Sequence, residues 1–531
     1  MNSIRRRRPG AWRILVAAVT LALVGTACGD GDSADSDPED GGVDSEEGSD
    51  DGDDGAASSG GGTISIGNPV TVVSLDPHGA QSGERSTLTI AQHFMDPLVE
   101  RDGDEFIPRL ATEWDNPDDT TWVFQLREGV EYHDGTPFTA DDVVASFDRL
   151  VEEDGPLAAL WGTVESAEAT GDLEVTFTTS EPLGTMLTNL TLLFVGPADR
   201  IGEDGFWSDP VGTGAFAIDD FVPDGHIHLD ANENYWDGRP NLDRLEFQEI
   251  PETSARLTAL ETGEIDFTWN IPPDQMSQVQ DVPEITLEAI PSFTYYFIWF
   301  NNSREPFTDV RVRQAMWHAV DVEQIVEDLF EGLGSVANSP IPEPVFGSAG
   351  NQQQYEYDPE RAQELLAEAG YEDGLSTSIQ WNSECCPNVR ALVQTMASYW
   401  QDIGVEVELL EKERAVWLDD LLALNWDMNI QDNTVLTGDA DYTLGRLYMS
   451  QADRLGYANE EVDQLLSAAR SALDQEERAD LYAQASEILW EDAVGIFPID
   501  LLNNFAWRDN VQGFEPTPND MPRFHEVSLS E

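Results

Sequence analysis

The fold is decided by residues 121–143, which read TWVFQLREGVEYHDGTPFTADDV. Apolar residues at every second position of 122–126 predict a strand with one buried face. Asp134-Gly135 is a turn dipeptide, and Thr139 is a suitable N-cap for the helix that should follow. The stretch predicts a strand, a turn and a helix in close succession, and none of its residues needs a catalytic role.

Further motifs extend on both sides of this stretch in a fixed order. They are Pro97-Leu98-Val99-Glu100, Ile107-Pro108-Arg109-Leu110-Ala111, Pro210-Val211-Gly212-Thr213-Gly214-Ala215-Phe216, Asn234-Tyr235-Trp236-Asp237-Gly238, Gly263-Glu264-Ile265-Asp266 and Pro306-Phe307-Thr308-Asp309-Val310-Arg311. Together with residues 121–143, they resemble the extracellular solute-binding proteins of family 5. This is the peptide and nickel class that serves ABC importers.

The resemblance implies an α/β, two-lobed periplasmic-binding-protein-like fold of type II, cluster C, with an extra small domain in lobe one. The two lobes would close around a hinge on a solute held between them. The implied division is a signal peptide at 1–28, a linker at 29–62, lobe one at 63–98, 209–303 and 504–531, the extra domain at 99–208, and lobe two at 304–503.

Local patterns agree with an α/β chain, because short strand-like runs alternate with amphipathic helical stretches from Thr63 onward. Asp358, followed by Pro359, predicts the start of a helix that Gly370 ends. Apolar residues at helical spacing predict a second helix over 310–330. The aromatic and β-branched run 293–300 predicts a buried strand.

The N-terminus predicts export. Five arginines between positions 5 and 13 precede an apolar run at 14–27 that is too short to span a bilayer as a mature helix. Small residues directly before Cys28 resemble a lipobox, which predicts a lipid anchor through Cys28 on the extracellular face of the membrane. An ordinary cleavage site, giving a secreted or periplasmic protein, is the alternative. The acidic linker 29–62 should be disordered.

Charge limits the partners. The chain has 103 Asp and Glu against 27 Lys and Arg, a net charge of −76, and its one lysine is Lys412. Nucleic acid and anionic lipid are therefore poor partners, and an acidic surface of the halophilic type suits work in high salt. Besides Cys28 the chain has only Cys385 and Cys386, so it lacks a disulfide framework, and two free thiols or a strained vicinal disulfide are both open.

The resemblance also suggests where a solute binds. Peptide-binding members use an aspartate within an Ala-Asp-Tyr motif to pair the ligand's α-amino group, and the matching residues are Ala440-Asp441-Tyr442. The tryptophan and arginine that often accompany this aspartate are missing. The candidate ligand-binding residues are Asp441, Tyr442, Asp432, Asn433, Trp417, Trp381, Cys385 and Tyr295.

No metal site and no cofactor are expected. His226 and His228 lie two positions apart on a predicted strand and face the same way, but two exposed histidines beside acids need no metal to explain them. Aromatic residues leave an oligosaccharide or another non-peptide solute open as an alternative to a peptide.

The predicted function is capture of a small solute outside the membrane and its delivery to an ABC permease, by a monomer that is not an enzyme. A sensory lipoprotein is a second alternative. An exported hydrolase is a weaker one, because the sequence has no Gly-x-Ser-x-Gly and no His-Glu-x-x-His motif.

Overall fold

The computed structural model describes residues 61–350, 352–383, 386 and 388–530. The predicted signal peptide, Cys28 and Cys385 lie outside this part of the chain, as does the acidic linker up to residue 60. Within the described ranges, none of the helices combines the length and the apolar character that crossing a membrane requires.

Helices and strands are mixed along the described chain. The strands are β1 Thr63–Asn68, β2 Val99–Asp102, β3 Glu105–Pro108, β4 Ala111–Asp118, β5 Thr121–Leu126, β6 Val164–Gly171, β7 Glu174–Thr179, β8 Phe216–Val222, β9 His226–Ala231, β10 Arg244–Glu249, β11 Phe267–Trp269, β12 Ile285–Phe300, β13 Gly334–Val336, β14 Leu375–Asn382, β15 Val405–Lys412, β16 Met428–Thr434, β17 Gly495–Arg508, β18 Val511–Gln512 and β19 Ser528–Leu529.

The α-helices are α1 Arg85–Phe94, α2 Ala140–Glu152, α3 Met186–Leu190, α4 Thr253–Thr262, α5 Ser277–Gln280, α6 Val310–His318, α7 Val322–Phe330, α8 Pro359–Glu368, α9 Val389–Asp402, α10 Arg414–Leu422, α11 Leu444–Leu447, α12 Glu460–Ser471 and α13 Gln475–Glu491. The prediction of an α/β chain is confirmed.

One large sheet runs through the described chain in the order β15-β14-β16-β12-β17-β11-β1-β10-β9-β8, and β13 pairs with β17. Its two longest strands, β12 and β17, are antiparallel neighbours over most of their lengths. A separate antiparallel sheet has the order β4-β5-β7-β6. Strands β12 and β17 therefore connect the two ends of the large sheet.

Two large hydrophobic cores lie along this sheet. The first core contains buried apolar side chains between Ile64 and Phe247, together with Phe267, Trp269, Leu436 and side chains between Phe505 and Val527. The second core contains those between Phe293 and Ile499. A smaller, third cluster includes buried side chains of α4 and α5.

The deciding stretch folds as its pattern predicts. Strand β5 alternates buried and less buried positions, and the backbone N–H of Thr139 donates to Asp142 Oδ2 at 2.7 Å at the start of α2. Nδ1 of His133 accepts from the Gly212 N–H at 3.2 Å, and Nε2 lies 3.0 Å from the Gly214 oxygen. His133 therefore holds the glycine-rich turn 212–214, which is a structural role.

Two of the other local predictions are confirmed and one is wrong. Helix α8 starts after Asp358, whose side chain accepts from the Arg361 N–H at 2.8 Å, and all of 293–300 is buried in β12. The helix predicted over 310–330 is two helices, α6 and α7. Asp321 breaks it, because its side chain accepts from the Gln324 N–H at 3.1 Å and caps a new helix.

Candidate functional site

The two cores meet at the segment that follows β16. Leu436 in this segment packs into the first core, whereas Ala440 packs into the second. Tyr442, at the end of the short 3-10 helix Ala440–Tyr442, contacts both cores. Side chains from both halves of the molecule therefore surround residues 436–442.

Asp439 joins the two halves directly. Its fully buried carboxylate accepts from Arg478 Nη2 at 3.0 Å on the second-core side. From the first-core side it accepts from Thr188 Oγ1 at 3.0 Å and from Arg101 Nη2 at 3.4 Å. Removing one partner from a buried ion pair typically costs about 3–5 kcal/mol because the other charge is left unpaired, so substitutions in this group should destabilise the junction of the halves.

Aromatic rings cover these arginines. The Arg101 guanidinium lies 4.8 Å from the centre of the Phe106 ring and 5.4 Å from that of Phe346, and Arg478 lies 5.1 Å from Phe346. Burial lowers the pKa of Arg101, and Asp439 opposes that effect. Phe346 thus links the arginines of both halves by cation–π contacts.

Asp441, the predicted partner of a ligand amine, is engaged within the second-core half. Arg470 Nε on α12 donates to its two oxygens at 3.1 and 3.2 Å, and the Tyr482 hydroxyl lies 3.4 Å from Oδ1. Burial raises the pKa of Asp441, and Arg470 opposes the rise. Its role toward a ligand stays a prediction, and a ligand amine would have to share this carboxylate with Arg470.

A second acidic group lies where β16 approaches the first-core half. We call Arg85, Asn270, Asp432 and Asp520 the junction cluster. Asp520 Oδ2 accepts from Arg85 Nη1 and from Asn270 Nδ2, each at 2.8 Å. Burial raises the pKa of Asp432, and the charge of Arg85 opposes the rise. Asp520 is buried and Asp432 is partly buried, and the charge of Arg85 opposes the pKa rise of both carboxyl groups.

Asn433 follows Asp432 on β16, so its side chain projects to the opposite face of the sheet, together with that of Tyr295. They are directly opposite in the β12–β16 register, and Asn433 Nδ2 donates to Thr443 Oγ1 at 3.0 Å, which ties β16 to the Asp441 segment. Tyr295 is fully buried in the second core. Burial raises the pKa of its hydroxyl well above the ordinary value, with a further contribution from Tyr448.

The two predicted tryptophans lie apart from the junction cluster, near the start of β16. Trp381 is buried in β14, and Trp417 Nε1 on α10 donates to Asn429 Oδ1 at 2.7 Å. Cys385 lies outside the described residues. Cys386 is disulfide-bonded, so the free-thiol alternative does not hold for it.

The sequence prediction missed Arg85, Asn270, Asp520, Arg101 and Asp439. The first three come from α1, the loop after β11 and the C-terminal segment, and no local pattern connects them. The one available signal was the scarcity of basic residues. In so acidic a chain, each arginine is expected to pair with a carboxylate, but the sequence does not show which one.

Comparison with known proteins identifies the family of this chain. The family model described as bacterial extracellular solute-binding proteins, family 5 Middle, matches residues 105–454. The chain belongs to this family. It is therefore one of the family 5 extracellular solute-binding proteins, and the resemblance deduced from the sequence motifs is confirmed.

Two similar proteins are named for different ligands. The glutathione-binding protein GsiB of Pectobacterium atrosepticum is 28% identical, over 88% of this chain and 94% of that protein. Heme-binding protein A of Haemophilus influenzae is 31% identical, over 80% and 84%. These relatives are binding proteins rather than enzymes.

A solved structure confirms the two-lobed fold. The periplasmic binding protein DppA from Helicobacter pylori, in complex with the peptide STSA, superposes with a TM-score of 0.76 at 27% identity, over 89% of this chain and 99% of that one. The first and second cores accordingly correspond to two lobes, and β12 and β17 run between them.

Proposed function

We propose that this chain captures a peptide outside the membrane and delivers it to an ABC permease, as a monomer without enzymatic activity. The peptide bound to the Helicobacter pylori relative supports this solute class, as does the glutathione-binding relative, since glutathione is itself a tripeptide.

The junction cluster is the observation that carries the proposal. Asp520 Oδ1 is buried and accepts no hydrogen bond from the described residues. Burial raises the pKa of Asp520 as well as that of Asp432, and Arg85 opposes both shifts. Because burial disfavours the ionised form of both carboxyl groups, an added ammonium group nearby would stabilise those ionised forms. A peptide supplies that ammonium at its N-terminus.

Asp432 and Asp441 are two alternative partners for the ligand amine. Asp441 matches the family motif, but Arg470 already pairs with it. Asp432 lies on β16 near the opposite lobe's Arg85, so a solute there would contact both lobes. We therefore favour Asp432.

Calorimetric titration with di- to octapeptides tests the function. We expect Asp432→Asn to weaken the binding of a peptide with a free amine by about tenfold to a hundredfold, which corresponds to one lost charge-assisted bond. The same peptide with an acetylated amine should bind wild type and variant equally weakly.

Asp441→Asn is the matched comparison. If it alone weakens binding, the amine partner is Asp441 and the assignment to Asp432 is wrong. If no peptide binds the wild type, or if the peptide is recovered cleaved, the proposed function itself is wrong.

The heme-binding relative makes a non-peptide solute the second candidate. The charges of the junction cluster favour a peptide, because a large apolar ring system would leave Asp432 and Arg85 desolvated without new partners. Hemin and oligosaccharides belong in the same titration series. If either binds more tightly than the peptides, it replaces the peptide as the proposed solute.

We also propose that Cys28 is acylated and anchors the chain to the extracellular face of the membrane. Replacing Cys28 with Ser should move the protein from the membrane fraction into the medium. An unchanged distribution would support the ordinary cleavage site instead.

A further inference from the structure

A hairpin at the edge of the large sheet brings two histidines and an aspartate together. Strand β8 is the last strand of the sheet and pairs with β9. His226 and His228 lie two positions apart on β9 and so project from one face, and Asp220 is opposite His228 in the register. All three side chains are at least partly exposed.

The geometry of the three side chains is that of a chelating set. The imidazole rings stack with their centres 4.4 Å apart, and His226 Nε2 lies 2.8 Å from Asp220 Oδ2. One donor atom from each residue lies within 4.8 Å of the other two. Ligands bound at about 2.0–2.2 Å from one ion lie a little over 3 Å apart, so small rotations of these exposed side chains suffice.

Neighbouring acids are already engaged by another cation. Arg244 on β10 pairs with Asp219 at 2.8 Å, with Glu246 at 3.1 Å, and with Asp230. Asp220 has no part in these pairs and contacts His226 instead. Asp220 is therefore a carboxylate that already lies against an imidazole and that Arg244 does not occupy.

We propose that Asp220, His226 and His228 form a binding site for a divalent transition metal ion of the Zn²⁺, Ni²⁺ or Cu²⁺ class. Two imidazole nitrogens select these ions over Mg²⁺ and Ca²⁺, which prefer oxygen ligands. Three protein ligands leave at least one coordination position for water or an external donor. The proposal departs from the sequence-based expectation of no metal. The site lies apart from the junction cluster, so it is independent of the proposed solute.

Metal titration of the full-length protein without a polyhistidine tag tests the proposal. After removal of metals with EDTA, the protein is titrated with ZnCl₂ in 1 M NaCl with millimolar Mg²⁺, which occupies the carboxylate-only sites. We expect one equivalent to bind the wild type. His228→Gln should weaken this binding by at least about tenfold, since even outer-shell changes cost about 10–100-fold.

His318→Gln is the matched control. His318 lies on α6, where its Nδ1 is 2.9 Å from the Glu356 oxygen, so its loss should leave Zn²⁺ binding unchanged. With Cu²⁺, electron paramagnetic resonance of the wild type should show coupling to imidazole nitrogens, and His226→Gln should reduce it. Equal Zn²⁺ affinity of the wild type and the double variant His226→Gln, His228→Gln would overturn the proposal.

Discussion

Asp500 shows how burial changes the chemistry of a single acid. It lies on β17 opposite Tyr295, and its Oδ1 is buried without a hydrogen bond from the described residues. Burial raises the pKa of Asp500 to about 7, and the charge of Glu343 adds to the rise. The folded protein therefore holds a proton that the unfolded chain loses near its ordinary value of 3.8.

This difference predicts a pH-dependent effect of Asp500→Asn. Between about pH 4 and pH 7 the folded state binds one more proton than the unfolded state, so the contribution of Asp500 to stability falls as the pH rises through this window. Asn cannot ionise. The melting temperature of the variant minus that of wild type should therefore be higher at pH 8 than at pH 4.5.

Thermal melts at the two pH values measure the effect, with the exposed Asp119→Asn as the control that should stay near wild type. An equal difference between Asp500→Asn and wild type at both pH values would contradict the buried state of Asp500. No sequence pattern could have singled out Asp500 among 103 acids, because its burial depends on strands from distant segments.

At the scale of elements, most local signals were reliable because capping and alternation are short-range. Asp358 and Thr139 mark true helix starts, and 293–300 is a buried strand. The break between α6 and α7 could not be predicted. The apolar spacing continues across Asp321, and a single polar residue is also common within one helix. The start of β12 at Ile285 was also missed, because pairing with β17 extends it.

The glycine-rich turn offers a test of one close approach. A methyl group at Gly212 would overlap the carbonyl oxygen of Phe94, which ends α1. We therefore expect Gly212→Ala to destabilise the protein by about 2–3 kcal/mol, as overpacking against backbone does. The urea midpoint of unfolding measures the loss.

Gly202→Ala is the matched control, since no atom lies within 4 Å of the added methyl group. It should change the free energy of unfolding by less than about 0.5 kcal/mol. Equal stability of the two variants would mean that the turn and α1 are not in contact.

At the scale of the whole molecule, the contact between Asp439 and Arg101 should favour the closed arrangement of the lobes. We expect Arg101→Gln to raise the radius of gyration of the ligand-free protein and to weaken peptide binding by about tenfold, or about 1.4 kcal/mol. Small-angle X-ray scattering and calorimetry measure the two effects.

Arg304→Gln is the comparison, because Arg304 pairs with Asp427 at 3.2 Å near the surface of one lobe. It should alter neither quantity. If Arg101→Gln has the same radius of gyration and the same peptide affinity as wild type, this contact has no role in closure.

The net charge of −76 predicts a dependence on salt. Screening acts over about 3 Å at 1 M ionic strength but about 30 Å at 0.01 M, so like charges repel across the molecule at low salt. We expect dialysis from 1 M to 0.01 M NaCl to lower the melting temperature. An unchanged melting temperature would contradict the prediction of a surface adapted to high salt.

The sequence motifs were sufficient to predict the family and the two-lobed fold, because they are distributed along most of the chain. The junction cluster could not be predicted, since Arg85, Asp432 and Asp520 meet only after both lobes have folded. Asp441 was predicted from its motif alone, and its pairing with Arg470 depends on α12, which the motif does not include.

The proposed function requires the chain to bind an intact peptide between its lobes. Native mass spectrometry of the protein incubated with an equimolar library of di- to octapeptides tests it most directly. We expect a complex of one protein with one peptide, which releases that peptide at its original mass. Absence of any complex, or release of shorter fragments, would contradict it.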